Sequence, residues 1–165
     1  MEIGNNKKAG VRQKQFSFST SVTWLGEKKG VLASAGKPSI QVSSPPEFKG
    51  IPGHWTPEDL FVGALEMCQF LTFLALAKRS NVNVVSYDST ASGTLEFVDR
   101  SFRFTKVLIE PAIVVAGPVE EFEIHALVSQ AHRQCLVANS VTAAVIVNPR
   151  VSIEQFEQLP DPPHS

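Results

Sequence analysis

Cys68 and Cys135 are the only cysteines in this chain, and each stands in an apolar stretch with helical spacing. A thiolate is the strongest nucleophile among the ordinary side chains. It can be oxidised to a sulfenic acid and closed into a disulfide by a second thiol. Cys68 lies within Leu60–Ala77, where Leu60, Ala64, Cys68, Leu71 and Ala75 share one helical face. Cys135 ends Glu120–Cys135, where Ile124, Leu127, Val128, Ala131 and Cys135 do the same. Two readings follow from this spacing. The cysteines are either small buried core residues or a redox pair that the fold brings together. Neither belongs to a C-x-x-C unit. No grouping of His54, His125, His132 and the thiols has zinc-ligand spacing, so no metal site and no cofactor are expected.

The elements that must position these thiols are sharply punctuated. Thr56 can cap the first helix, Pro57 suits its first turn, and Glu58 and Asp59 favour the positive end of its dipole. Lys78 and Arg79 suit the negative end, so the helix is predicted to run to about Arg79. Gly117-Pro118 breaks the chain before the second helix, which has Glu120 and Glu121 in its first turn. Upstream, Phe16, Phe18, Thr20, Val22 and Trp24 alternate with small polar residues, the period of a strand with one buried face. Gly26–Gly30 is a turn, with short strands expected over Val31–Ala35 and Ser39–Ser43. The β-branched and aromatic runs Val84–Val98 and Phe102–Val115 flank Asp99-Arg100-Ser101, a hairpin signal. Val141–Val147 is a last strand or the tail of the second helix. The order is three strands, a helix, two long strands and a second helix, which is an α+β arrangement.

Length and composition allow a real core: 165 residues, 43% hydrophobic and 8% aromatic. The expected organisation is a flexible N-terminal arm (residues 1–10), a single domain (residues 11–154) and a disordered tail (residues 155–165). A formal net charge of -1 gives no pull toward nucleic acid or anionic lipid. Glu66, Gln69 and Thr72 interrupt Leu60–Ala77 on one narrow face, against a membrane span. A helix apolar almost all round is instead expected between layers or at a subunit interface. No apolar run follows the basic residues at the N-terminus, so a cytoplasmic location, where thiols stay reduced, is the expectation.

The segments around the cysteines carry more information than the spacing alone. Thr56-Pro57-Glu58-Asp59-Leu60-Phe61-Val62-Gly63-Ala64 followed by Cys68 resembles the N-P-E-x-L-x-x-A-x-x-x-x-C helix of the OsmC/Ohr family of thiol peroxidases. Ala131-His132-Arg133-Gln134-Cys135, followed by Ala138-Asn139, resembles that family's second-cysteine segment, A-H-x-x-C-P-x-S. Thr56 stands in place of the asparagine and Leu136 in place of the proline. The likeness extends over about Phe16 to Ile153. It implies an OsmC-like fold, with antiparallel sheets packed around two main helices in an intertwined homodimer. It also implies that Cys68 is the peroxidatic thiol, attacking an organic hydroperoxide, and that Cys135 resolves it as a disulfide. A dithiol reductant, such as a lipoyl group, would reset the pair.

Geometry adds a constraint on Glu58, which in the family serves the thiol. Ten residues separate it from Cys68, about 15 Å along a straight helix, so it could serve only the Cys68 of a second subunit. The family also supplies an arginine from the N-terminal region, yet no arginine occurs between Arg12 and Arg79. Lys49 and His54, in the loop before the first helix, are the candidate substitutes near the substrate pocket. Without the arginine, a second function stays open: a small-molecule binding or redox-sensing protein that keeps the fold but turns over little.

Overall fold

The computed structural model describes residues 14–154, which fall into two units dividing between His54 and Trp55. The expected arm (residues 1–10) and tail (residues 155–165) lie outside the described residues.

The first unit is an antiparallel meander of β1 (Ser21–Gly26), β2 (Lys29–Ala33) and β3 (Ile40–Ser43). Gly26 and Glu27, both at positive φ, turn β1 into β2, and the Trp24 indole N–H donates to the Glu27 carbonyl at 2.9 Å. Strand pairing starts at Ser21, so Phe16 and Phe18 precede the strand rather than lying in it. The face predicted to be buried is also open: Phe18 is 92% and Trp24 74% exposed. Val22 and Trp24 alternate as expected along β1, but Leu25 on its other side is open too, and no described residue of this unit covers either face. After β3 the chain tightens into a 3-10 turn, Pro46–Phe48, ended by Lys49 at φ 61°. Gly50 follows because a Cβ there would lie 1.5 Å from the Ser44 carbonyl oxygen.

The second unit holds both cysteines. α1 (Pro57–Arg79) starts where the sequence announces it: Thr56 Oγ1 accepts from the Asp59 N–H at 3.1 Å, and Asp59 Oδ2 accepts from the Thr56 N–H at 3.0 Å. β4 (Asn83–Val98) and β5 (Ser101–Ala116) form a long hairpin. Its two-residue turn, Asp99-Arg100, has both residues at positive φ, the twist that suits a tight hairpin. α2 (Glu121–Gln134) follows, then β6 (Ala144–Val147) and β7 (Arg150–Glu154). Both late strands pair parallel with β5, so this sheet is mixed rather than wholly antiparallel, and β7 has no counterpart in the sequence reading. β6 takes Lys106–Ile109 of β5 and β7 takes Ala112–Ala116. Pro111, which has no N–H to give a ladder, sits in the gap between the two partners.

Two clusters form the core of this unit. In one, Phe73, Leu76 and Ala77 of α1 meet Ile113 and Val115 of β5 and Ile124, Val128 and Ala131 of α2. In the other, Leu65 packs on Val107 and Ile109. Burying each large aliphatic or aromatic side chain contributes about 1.5–3 kcal/mol. Gln69, expected on a polar face, is fully buried instead. Its Nε2 donates to the Val128 carbonyl at 3.1 Å and ties α1 to α2. α1 is long and apolar enough to cross a membrane by length and composition, yet one face packs into this core. Two helices against a mixed sheet in one unit, and a three-stranded meander in the other, make the α+β class that the residue order predicts.

Candidate functional site

Cys135 is where α2 stops. It caps the helix with an extended backbone (ψ 112°), and its N–H donates to the His132 carbonyl at 3.2 Å. The following 3-10 turn, Ala138–Ser140, folds back so that the Ala138 N–H donates to Cys135 Sγ at 3.4 Å. Only 1% of Cys135 is exposed. Cys68, in the middle of α1, is half-buried. Its carbonyl accepts from Thr72 Oγ1 at 2.7 Å. Both thiols are free, and they lie within hydrogen-bonding reach of each other. Thus the two apolar stripes, 67 residues apart in the chain, do bring the cysteines together.

Electrostatics separate the two thiols. Burial, and next the hydrogen bond with Cys68, push the Cys135 thiol up to about 11, while the Ala138 and Val137 N–H groups pull the other way. Burial wins because transfer from water disfavours the charged form more than two backbone donors favour it. Cys135 is therefore a protonated thiol at neutral pH.

Cys68 opens on a groove of about 580 Å³. Ala64, Met67, Leu71, Thr72 and Ala75 of α1 line one side, and Leu136 and Val137 beyond α2 line the other. Arg79 and Gln134 also border it. The stripe containing Cys68 is thus not the buried stripe of α1. Leu65, Gln69, Phe73, Leu76 and Ala77 are buried, whereas Met67 is 59% and Leu71 55% exposed. An almost uniformly apolar helix gives no period from which to choose between faces.

Glu58 stands half-buried in the first turn of α1. α1 is continuous from Pro57 to Arg79, so Glu58 and Cys68 remain about 15 Å apart along its axis. Glu58 Oε2 is buried and has no hydrogen-bond partner among the described residues. His132 Nδ1, one turn before Cys135, is in the same condition. Lys49 and His54 belong to the first unit. Lys49 is exposed with its N–H bonded to the Pro46 carbonyl at 2.9 Å, and His54 Nδ1 faces the Pro52 carbonyl at 3.2 Å.

A smaller cavity of about 300 Å³ lies on another side of α1, bordered by Gly63, Glu66, Phe70, Tyr87 and Ser89. Ser89 Oγ donates to Glu66 Oε1 at 2.6 Å, and burial followed by the Glu66 charge pushes the Tyr87 phenol up to about 12. Glu66 entered the sequence reading only as an interruption of the apolar run. Its partners come from β4, and no local pattern in α1 indicates them.

Comparisons with known proteins agree with this architecture. YmaD of Bacillus subtilis, an uncharacterised protein, is 22% identical over 142 residues, spanning 83% of this chain and 94% of its own. An OsmC-like protein of unknown function from Vibrio cholerae superimposes with a TM-score of 0.77 at 25% identity, covering 82% of this chain and all of that one. The organic hydroperoxide resistance protein OsmC of Legionella pneumophila shares the fold at TM-score 0.67 and 21% identity, over 85% of this chain and 99% of its own. Residues 50–150, well over half of the chain and including both cysteines, match the model of the OsmC-like proteins, and the protein belongs to that family.

Proposed function

We propose that the protein is a thiol-dependent peroxidase for organic hydroperoxides, with Cys68 as the peroxidatic thiol and Cys135 as the resolving one. The observation that carries this reading is the pairing itself: two free thiols in mutual reach, one on an apolar groove and the other sealed behind it. The Cys68 thiolate attacks the terminal oxygen of the hydroperoxide. The O–O bond breaks, the alkoxide leaves and is protonated to an alcohol, and Cys68 becomes a sulfenic acid. The Cys135 sulfur then attacks the Cys68 sulfur, giving up its proton, and water departs as the disulfide closes. A dithiol of lipoyl type reduces the disulfide by exchange and is itself oxidised. Apolar groove walls suit an alkyl or aryl hydroperoxide better than hydrogen peroxide. The printed name of the Legionella pneumophila neighbour, an organic hydroperoxide resistance protein, supports the same substrate class.

The working form in this reading is a cytoplasmic homodimer. Met67 and Leu71 on α1, Phe18 ahead of β1 and Trp24 within it leave large apolar side chains open to water, which suits an interface. A second copy closing over α1 would also supply a donor for the buried Glu58 Oε2, which costs stability while it has none. Glu58 then serves the Cys68 of the other copy. Lys49, as a charge, and His54, as a hydrogen-bond donor, are the side chains offered in place of an arginine to favour the thiolate.

The test is a steady-state assay with a dihydrolipoyl reductant, comparing cumene hydroperoxide with hydrogen peroxide. Higher kcat/KM for cumene hydroperoxide, abolished by Cys68→Ser, supports the proposal. One observation favours a second reading. The Cys135 thiol, pushed up to about 11, resolves slowly at neutral pH, as a redox sensor or binding protein with little turnover would. No turnover with either peroxide, but retained binding of apolar ligands, selects that reading.

A further inference from the structure

Arg79 lies eleven residues beyond Cys68 on the same uninterrupted helix. At 3.6 residues per turn that is three turns and a few hundredths, so the two side chains leave α1 within about 20° of the same direction. They are about 16 Å apart along the axis. Between them Ala75 lies close to this line, Thr72 and Leu71 flank it on either side, and all five residues border the one groove of about 580 Å³. The groove is thus mainly apolar between a thiol near one end and a guanidinium at the other, the Thr72 hydroxyl being taken up by the Cys68 carbonyl. Arg79 is exposed, and among the described residues it has no carboxylate partner. Its position in the last turn of α1 also suits the helix dipole, but Lys78 meets that need equally and does not border the groove.

We propose that Arg79 determines substrate specificity: it anchors the carboxylate of an amphiphilic acid whose chain lies along α1 and whose hydroperoxide reaches Cys68. This rests on the peroxidase reading of Cys68. A guanidinium holds a carboxylate through two parallel hydrogen bonds, which an ester or a compact aryl hydroperoxide cannot accept as a charge-assisted pair. The groove therefore measures head-to-peroxide distance as well as apolar character. A second copy over α1 would close the outer side of the same channel.

The test uses the full-length protein and three variants, Arg79→Gln, Arg79→Lys and Lys78→Gln. Each is assayed with a long-chain fatty-acid hydroperoxide, its methyl ester and cumene hydroperoxide. The wild type should favour the acid over the ester. The acid-to-ester ratio of kcat/KM should fall about tenfold in Arg79→Gln, through KM, the magnitude expected of a charge-assisted pair at a solvated site. Arg79→Lys should keep part of the preference and Lys78→Gln all of it. An equal response to acid and ester in the wild type, or an unchanged ratio in Arg79→Gln, overturns the proposal. If even cumene hydroperoxide is not reduced, the peroxidase reading fails separately. Calorimetric binding of dodecanoate against dodecanol then decides the anchor. Dodecanoate affinity about tenfold weaker in Arg79→Gln alone supports it, and equal affinity in all variants overturns it.

Discussion

Cys135 and Cys68 differ in what surrounds the sulfur, and that difference predicts how the pair behaves with pH. Only a thiolate attacks a sulfenic acid efficiently, and burial leaves Cys135 with its proton until about pH 11. A raised value means less thiolate at neutral pH, so resolution should be slow there and quicken with alkali. After one equivalent of cumene hydroperoxide, the rate of disulfide closure should rise about tenfold per pH unit from 7 to 9. Stopped-flow fluorescence or quenched alkylation measures it. A flat profile would mean that another group takes the Cys135 proton, and His132, with its unpartnered Nδ1, would be the first to examine. The cysteines and Glu58 were legible as residues because thiols and a carboxylate at a helix start are few and conspicuous. Gln69 was not. A lone amide among apolar neighbours reads as surface until the Val128 carbonyl that it binds is known.

At the scale of elements, the long β4–β5 hairpin sets where α1 can lie. Gly93 of β4 pairs with Val107, and a Cβ there would sit 2.6 Å from Phe104 Cε1 and 2.7 Å from Val62 Cγ2. Phe104 in turn stacks on Phe61, with ring centroids 4.6 Å apart. The strand is thus stripped of a side chain where α1 crosses it. Gly93→Ala should destabilise the protein by about 1–3 kcal/mol, the cost of a Cβ for which Phe104 and Val62 must make way, measured by urea denaturation. An unchanged midpoint would mean that α1 has room to retreat from the sheet. The boundaries of α1 and α2 were readable because Thr56-Pro57 and Gly117-Pro118 punctuate the backbone locally. The parallel pairing of β6 and β7 was not. Their partner, β5, lies dozens of residues upstream, and a four-residue apolar run carries no period.

For the whole molecule, the open apolar faces of α1 and of the meander argue for a second copy. Leu71→Asp puts a charge on the exposed stripe beside Cys68 without touching the buried core. Sedimentation should give twice the 18.0 kDa chain mass for the wild type and a shift toward monomer for Leu71→Asp. A monomeric wild type at micromolar concentration would remove the role of Glu58 in trans. This scale was the least legible. Sequence pattern identifies which faces are apolar, as at Phe18 and Trp24, but not what lies on them.

The central claim is the division of labour between the two thiols, and titration of the reduced protein with cumene hydroperoxide tests it most directly. Mass spectrometry after one equivalent should find a single Cys68–Cys135 disulfide in the wild type. Cys135→Ser should consume one equivalent and hold a sulfenic acid at Cys68 that dimedone traps. Cys68→Ser should leave the peroxide intact. Oxidation beginning at Cys135, or both thiols surviving an excess of hydroperoxide, would contradict the account.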